Sequence, residues 1–223
     1  MIEAVIFDLD GVLVTTDDCH YKAWKQMADE EGIYFDRQIN QRLRGVSRME
    51  SLDIILELSG KVYSAEQKAE LAARKNGYYV ALIKKLNQDA LLPGARDTVL
   101  ALRGNGIKTA IGSSSKNAPD ILRQVGIADL FDAVADGNQI RHSKPAPDVF
   151  LLAAQLLGLP AESCLVVEDA DAGVEAAINA GMQVMAVGAA SHNQKAHLHA
   201  DTLKDFDLAG WLHKEINSRP TAG

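Results

Sequence analysis

Asp8 and Asp10 stand one residue apart at the end of the apolar, β-prone run Ala4-Val5-Ile6-Phe7. Two carboxylates so close repel each other unless a cation or a shared proton relieves them, so the pair predicts a hard divalent metal. The same residues also fit a plain strand exit with a turn at Asp10-Gly11. Three later stretches place polar groups after apolar runs in a similar way. Ser113-Ser114-Ser115-Lys116-Asn117 offers hydroxyls and backbone N–H groups at a strand-to-helix turn, which suit an anion or a serine-rich helix cap. Lys144, just before Pro145, is either a solvated lysine or a fixed positive charge. Glu168-Asp169 follows Leu165-Val166-Val167 and reads as an acidic site or a helix N-cap.

The elements that would position these groups follow from periodicity. The run at residues 4–7 reads as a buried strand, and in an open α/β sheet ligands bind beyond the carboxyl ends of such strands. From Thr16 or Asp17, either a plausible N-cap, to about Gln88 the spacing is helical, with Tyr21, Trp24, Met27 and Ala28 on one stripe and no strand evident. Ser64 and Gln67 look like a capping box. After Leu91-Leu92-Pro93-Gly94, strands at 108–112, 133–135, 165–167 and 183–187 alternate with helices, which implies parallel pairing through right-handed crossovers. The expected fold is α/β: a Rossmann-like parallel-sheet core from residues 1–14 and 92–223, with a helical cap domain, 15–91, inserted between them. The two linkers, 15–17 and 88–92, must lie close together and would form a natural hinge. The chain from Ser191 reads as polar, then lightly helical near Leu208–Ile216.

Composition narrows the function. The 223 residues are 47% hydrophobic and carry a formal net charge of -7. That suits a globular protein and argues against nucleic acid or an anionic membrane surface as the main partner. It leaves room for a phosphorylated substrate, because a metal and a few cations can set the field in one pocket. Cys19 and Cys164 have no second cysteine at ligand spacing and read as reduced thiols. No stretch reads as a signal peptide or a membrane span, so a cytoplasmic protein is expected. His192, His197 and His199 read as surface residues.

Taken in order, Asp-x-Asp-Gly-Val, a small residue and serine after the second core strand, Lys-Pro, and Glu-Asp resemble the motif set of the haloacid-dehalogenase-like superfamily of phosphotransferases. The resemblance spans the chain, cap included. It implies that Asp8 is a nucleophile forming an aspartyl phosphate and that Asp10 is the general acid and base. It implies a magnesium ion held by Asp8, the main-chain carbonyl of Asp10 and Asp169, with Glu168 as a further or outer ligand. Ser113 and Lys144 would hold the phosphoryl oxygens.

Within the superfamily the cap resembles that of the β-phosphoglucomutases. The matching residues are His20 and Trp24, the loop Arg44-Gly45-Val46-Ser47-Arg48, the run Arg74-Lys75-Asn76, and Ser115-Lys116-Asn117 in the core. Arg48 would clamp the phosphate that is not being transferred, with Lys116 and Asn117 as a second anchor. Gly45 and Val46 would line the sugar pocket. Trp24 either stacks on a sugar face or belongs to the core, and His20 is either structural or a partner that holds Asp10 aside. A mutase needs two phosphate sites and a phosphatase one. The expected activity is therefore interconversion of β-glucose 1-phosphate and glucose 6-phosphate through a 1,6-bisphosphate, by a monomer acting on small sugar phosphates. A magnesium-dependent sugar-phosphate phosphatase is the alternative. Thr15, Arg44 and Met49 depart from the family pattern, and Thr15 and Met49 bear on how the cap closes.

Overall fold

The computed structural model describes residues 1–43 and 46–217. Its strands are β1 (Ala4–Phe7), β2 (Lys108–Gly112), β3 (Ala133–Ala135), β4 (Cys164–Glu168), β5 (Gln183–Ala186) and β6 (Leu198–His199). They form one parallel sheet in the order β3-β2-β1-β4-β5-β6. β1 is central and wholly buried, which is why it reads as an unbroken apolar run rather than an alternating one. Its side chains still alternate: Val5 and Phe7 enter one core, Ala4 and Ile6 the other.

Helices cover both faces. α5 (Ala95–Gly104), α6 (Ala118–Gln124) and α9 (Leu208–Asn217) pack on the Phe7 side, through Val99, Ile121 and Leu212 among others. α7 (Asp148–Leu157) and α8 (Asp171–Asn179) pack on the Ile6 side, through Phe150 and Val174. Each large apolar side chain buried this way contributes about 1.5–3 kcal/mol before chain entropy is charged against it.

Between β1 and β2 lie α1 (Asp17–Glu30), α2 (Arg37–Gln41), α3 (Arg48–Leu56) and α4 (Ala65–Ile83). They surround a separate apolar cluster that includes Met27, Phe35, Leu52, Ile55 and Leu71. Capping boxes open α3 at Ser47/Glu50 and α4 at Ser64/Gln67. The strand leaving the sheet and the strand returning to it run side by side: Leu92 N–H donates to Leu13 O at 2.9 Å and Thr15 N–H to Ala90 O at 3.0 Å. The base of the insert, at Ala23, Tyr79 and Ile83, joins the core on the Phe7 side of the sheet.

Two details differ from the sequence reading. The polar stretch after Ser191 contains β6, a two-residue edge strand too short for a period-2 pattern to reveal. Thr16 precedes α1 but makes no side-chain cap, because its hydroxyl is committed elsewhere. No helix among the described residues is long and apolar enough to cross a membrane.

Candidate active site

The sheet register brings the chemistry to one edge. Phe7 pairs with Ile111 on one side and Val167 on the other, so the chain emerges from β1, β2 and β4 at one level. Asp8 N–H still donates to Val167 O at 2.9 Å, which fixes its backbone in the ladder. Lys144 Nζ lies 2.5 Å from Asp8 Oδ1 and 2.7 Å from Glu168 Oε2, above the Phe150 ring. The Lys144–Pro145 peptide is cis. Burial works against the Lys144 charge, but Asp8 and Glu168 outweigh it and hold the ammonium above its ordinary range. Lys144 is thus a fixed buried cation and not a solvated lysine.

Glu168 is 1% exposed. Its Oε1 accepts from the N–H groups of Asp169 and Ala170, both at 3.1 Å, so it ties down the turn into α8 while its other oxygen meets Lys144. Asp8, Glu168 and Asp169 bring one oxygen each to within 4.8 Å of one another. Burial first, then the other carboxylates, push Asp169 up to about 8; burial raises Glu168 to about 7 against the pull of Lys144. Three crowded carboxylates share one ammonium. An all-oxygen, under-compensated set of this kind fits a hard divalent cation. Gly11 leaves room for the Asp169 carboxylate: at φ +85°, a Cβ there would stand 1.9 Å from Asp169 Oδ2.

The carboxylate of Asp10 faces the helical insert. Thr16 Oγ1 donates to Asp10 Oδ1, and Tyr79 OH on α4 donates to Thr16 Oγ1 at 3.3 Å. Enclosure raises Asp10 to about 7, opposed by the Thr16 hydrogen bond and assisted by Asp8. Of the two readings of His20, the pairing with Asp10 is not the contact present here. His20 Nδ1 lies 3.0 Å from Lys75 Nζ, and its ring lies 4.2 Å from that of Tyr79. Lys75 is 2% exposed and also sits over the rings of Trp24 and Tyr79. Burial, reinforced by the charge of Arg48, lowers Lys75 to about 7. Burial, then Lys75 and Arg48, keep His20 well below its usual range. These shifts favour a neutral imidazole beside a lysine whose charge is weakly held.

A cavity of about 1190 Å³ separates the sheet edge from the insert and is lined by both. On the core side Ser113 Oγ accepts from Ser115 N–H at 3.2 Å, and Ser115 Oγ from Asn117 N–H at 3.3 Å. The serines therefore brace the turn before α6 and still line the cavity, as Lys116 does from an exposed position. Asn117 Nδ2 donates to Asn76 Oδ1 on α4 at 3.3 Å. Asn76 meets the core through that bond, away from the cavity lining. On the opposite side are Val46, Ser47, Arg48 and Met49. Ser47 Oγ accepts from Glu50 N–H as an N-cap. Arg48 is half-buried and makes no ion pair with another described residue. Trp24 is 2% exposed and belongs chiefly to the insert's core, with only an edge on the cavity. Gly45 and Arg44 lie outside the described residues. Asn40, Ser51 and Tyr79 also line the cavity and are not singled out by the sequence, and Thr16 and Lys75, read there as a helix cap and as part of the cap run, line it too.

A model of the haloacid dehalogenase-like hydrolases matches residues 2–181. The chain belongs to this family. Within the family it is 43% identical to the β-phosphoglucomutase of Bacillus subtilis (strain 168), over 96% of this chain and 95% of that one. A crystal structure of β-phosphoglucomutase from Clostridium difficile superposes with a TM-score of 0.87 at 40% identity, covering 98% of this chain and 100% of that one. A fructose-1-phosphate phosphatase of Escherichia coli (strain K12) is 33% identical over 82% of this chain and 95% of its own. The carboxylate cluster, Lys144 and Ser113 thus lie within a family-wide match, and the insert lies within the near-full-length match to the mutases.

Proposed function

We propose that this chain is an isomerase interconverting β-D-glucose 1-phosphate and D-glucose 6-phosphate, with residues 15–91 acting as a cap over a core of 1–14 and 92–223. The observation that carries the reading is one cavity with anion-binding groups at two ends. Asp8, Ser113 and Lys144 stand at the sheet edge, and Arg48 reaches in from the cap, with Lys116 and Asn117 at the core's rim. The near-full-length likeness to β-phosphoglucomutases supports it.

In the reaction, Asp8 carries the phosphoryl group as an aspartyl phosphate. The sugar 6-hydroxyl attacks phosphorus, its proton passes to Asp10, and the bond to Asp8 breaks, giving the 1,6-bisphosphate. After the bisphosphate turns round, Asp8 attacks the other phosphorus. The bond to the sugar C1 oxygen breaks and Asp10 returns its proton to that oxygen. Lys144 and Ser113 hold the phosphoryl oxygens, while Arg48, Lys116 and Asn117 hold the idle phosphate. Magnesium is the ion we assign to Asp8, Asp169, the Asp10 carbonyl and Glu168, and when bound it supplies neutralisation of the charge on the phosphoryl group. We read the chain as a cytoplasmic monomer acting on free sugar phosphates. Incubation with β-glucose 1-phosphate, magnesium and a trace of bisphosphate tests the proposal: glucose 6-phosphate is the expected product. Free phosphate with glucose as the dominant products would replace it with a phosphatase.

A further inference from the structure

We infer that Asn40 is a specificity-determining residue of the cap, whose amide pairs with one ring hydroxyl of the sugar and so selects among epimers. This rests on the sugar-phosphate reading above. Asn40 lies on α2, is 9% exposed and lines the cavity between cap and core. Its backbone is satisfied: its N–H donates to Asp36 O at 3.0 Å, and its carbonyl accepts from Leu43 N–H at 3.0 Å. No hydrogen bond joins its side chain to another described residue.

The fully buried, unpartnered polar side-chain atoms among the described residues are Tyr63 OH, Arg74 Nε and Ser114 Oγ, so the Asn40 amide keeps contact with the cavity, where a ligand hydroxyl can replace water. The described residues beside it on α2 do not take its amide. Leu43, beside it on the cavity wall, is apolar, and the Asp36 carboxylate is taken by the Ile39 N–H and the Tyr34 hydroxyl. The open direction is the cavity. An amide offers one acceptor and two donors, so it can both give to and take from a single hydroxyl. Cationic side chains already serve the two phosphate ends, which leaves the sugar ring between them for Asn40. Inverting the stereocentre that bears the paired hydroxyl would leave the amide covered by ligand without a partner. A site built to bond a hydroxyl rejects the analogue lacking it far more strongly than an apolar wall does.

The test compares β-glucose 1-phosphate with monodeoxy analogues lacking each ring hydroxyl in turn, on wild type and on Asn40→Ala. Wild-type isomerisation of the parent sugar is the control: its absence would refute the sugar-phosphate reading itself, independently of Asn40. In wild type, one deletion is expected to lower kcat/KM by about 10- to 100-fold. In Asn40→Ala that one penalty should vanish while the penalties at the other positions persist. Retention of every penalty in Asn40→Ala, with the losses simply multiplying, would overturn the inference, since a structural role predicts that pattern. Should Asn40→Ala fail to fold, Asn40→Asp carries the same comparison. It is nearly isosteric and keeps the acceptor but loses the donors, so the same single penalty should shrink, and an unchanged set would overturn the inference.

Discussion

Thr16 shows how much one hydroxyl can govern. It accepts from Tyr79 and donates to Asp10, so it joins the proposed acid–base group to a cap helix. Thr16→Val keeps the shape and removes the bond. Turnover is expected to fall about 10- to 100-fold, the scale of a misplaced general acid, with a smaller change in KM; unchanged steady-state kinetics would remove Thr16 from the mechanism. Lys75 is the second residue of this kind. Its folded-state value of about 7 lies below the ordinary 10.5, so between those limits the unfolded chain binds the proton that the folded one has released. Its burial penalty is therefore full below pH 7 and is relieved as pH rises toward 10.5. Lys75→Met should gain most over wild type at pH 6, by up to a few kcal/mol, and lose roughly half of that advantage by pH 9 and the rest toward pH 10.5, in urea unfolding without ligand. A gap that does not move with pH would mean that Lys75 is solvated. Neither residue's role was legible in sequence. Thr16 reads as a helix cap, and the partner of Lys75 is His20, 55 positions away. Local spacing cannot report a bond made across two helices.

At the scale of elements, the strand ends were legible because each is an apolar run stopped by polar residues. What could not be read was how closely the following helix approaches. Gly173 in the first turn of α8 has no side chain because Glu168 fills the space: a Cβ there would lie 2.0 Å from the Glu168 carboxyl carbon. That helix therefore presses on the carboxylate that anchors both Lys144 and the turn to Asp169. Gly173→Ala gains helix propensity of about 1 kcal/mol in isolation, yet here it must push Glu168 aside. Magnesium affinity by calorimetric titration should drop at least tenfold and thermal stability should fall, by the cost of overpacking, about 1–3 kcal/mol. Stabilisation with unchanged magnesium binding would show that Glu168 has room to move. The short strand β6 and the Ser47 cap belong to the same lesson. Both depend on partners that the periodic pattern does not encode, the strand β5 in one case and a single glutamate in the other.

For the whole molecule, the division into a sheet and a helical insert was legible because hydrophobic period changes from helical to alternating αβ near Leu91. The contact between them was not. Asn117–Asn76 and Tyr79–Thr16 cross from core or linker to cap, through polar side chains whose partners lie far apart in the chain. This contact surface bears on the choice between a mutase and a phosphatase. Transfer to water needs only the sheet edge, whereas return to a sugar needs the idle phosphate held across the cavity. Arg48 enters from the first turn of α3, half-buried and without an ion pair to another described residue, and stands free to take that phosphate. Arg48→Ala should therefore cut isomerisation of β-glucose 1-phosphate by about 100-fold or more, since a guanidinium–phosphate fork is worth roughly 1.5–3 kcal/mol and also sets orientation. Hydrolysis of a small phosphate ester that cannot reach the cap should lose much less. Arg48→Lys keeps the charge without the fork and should fall between. Equal losses in both assays would mean that Arg48 acts on the fold or on the transferring phosphate, and the second phosphate site would have to be sought elsewhere on the cavity wall.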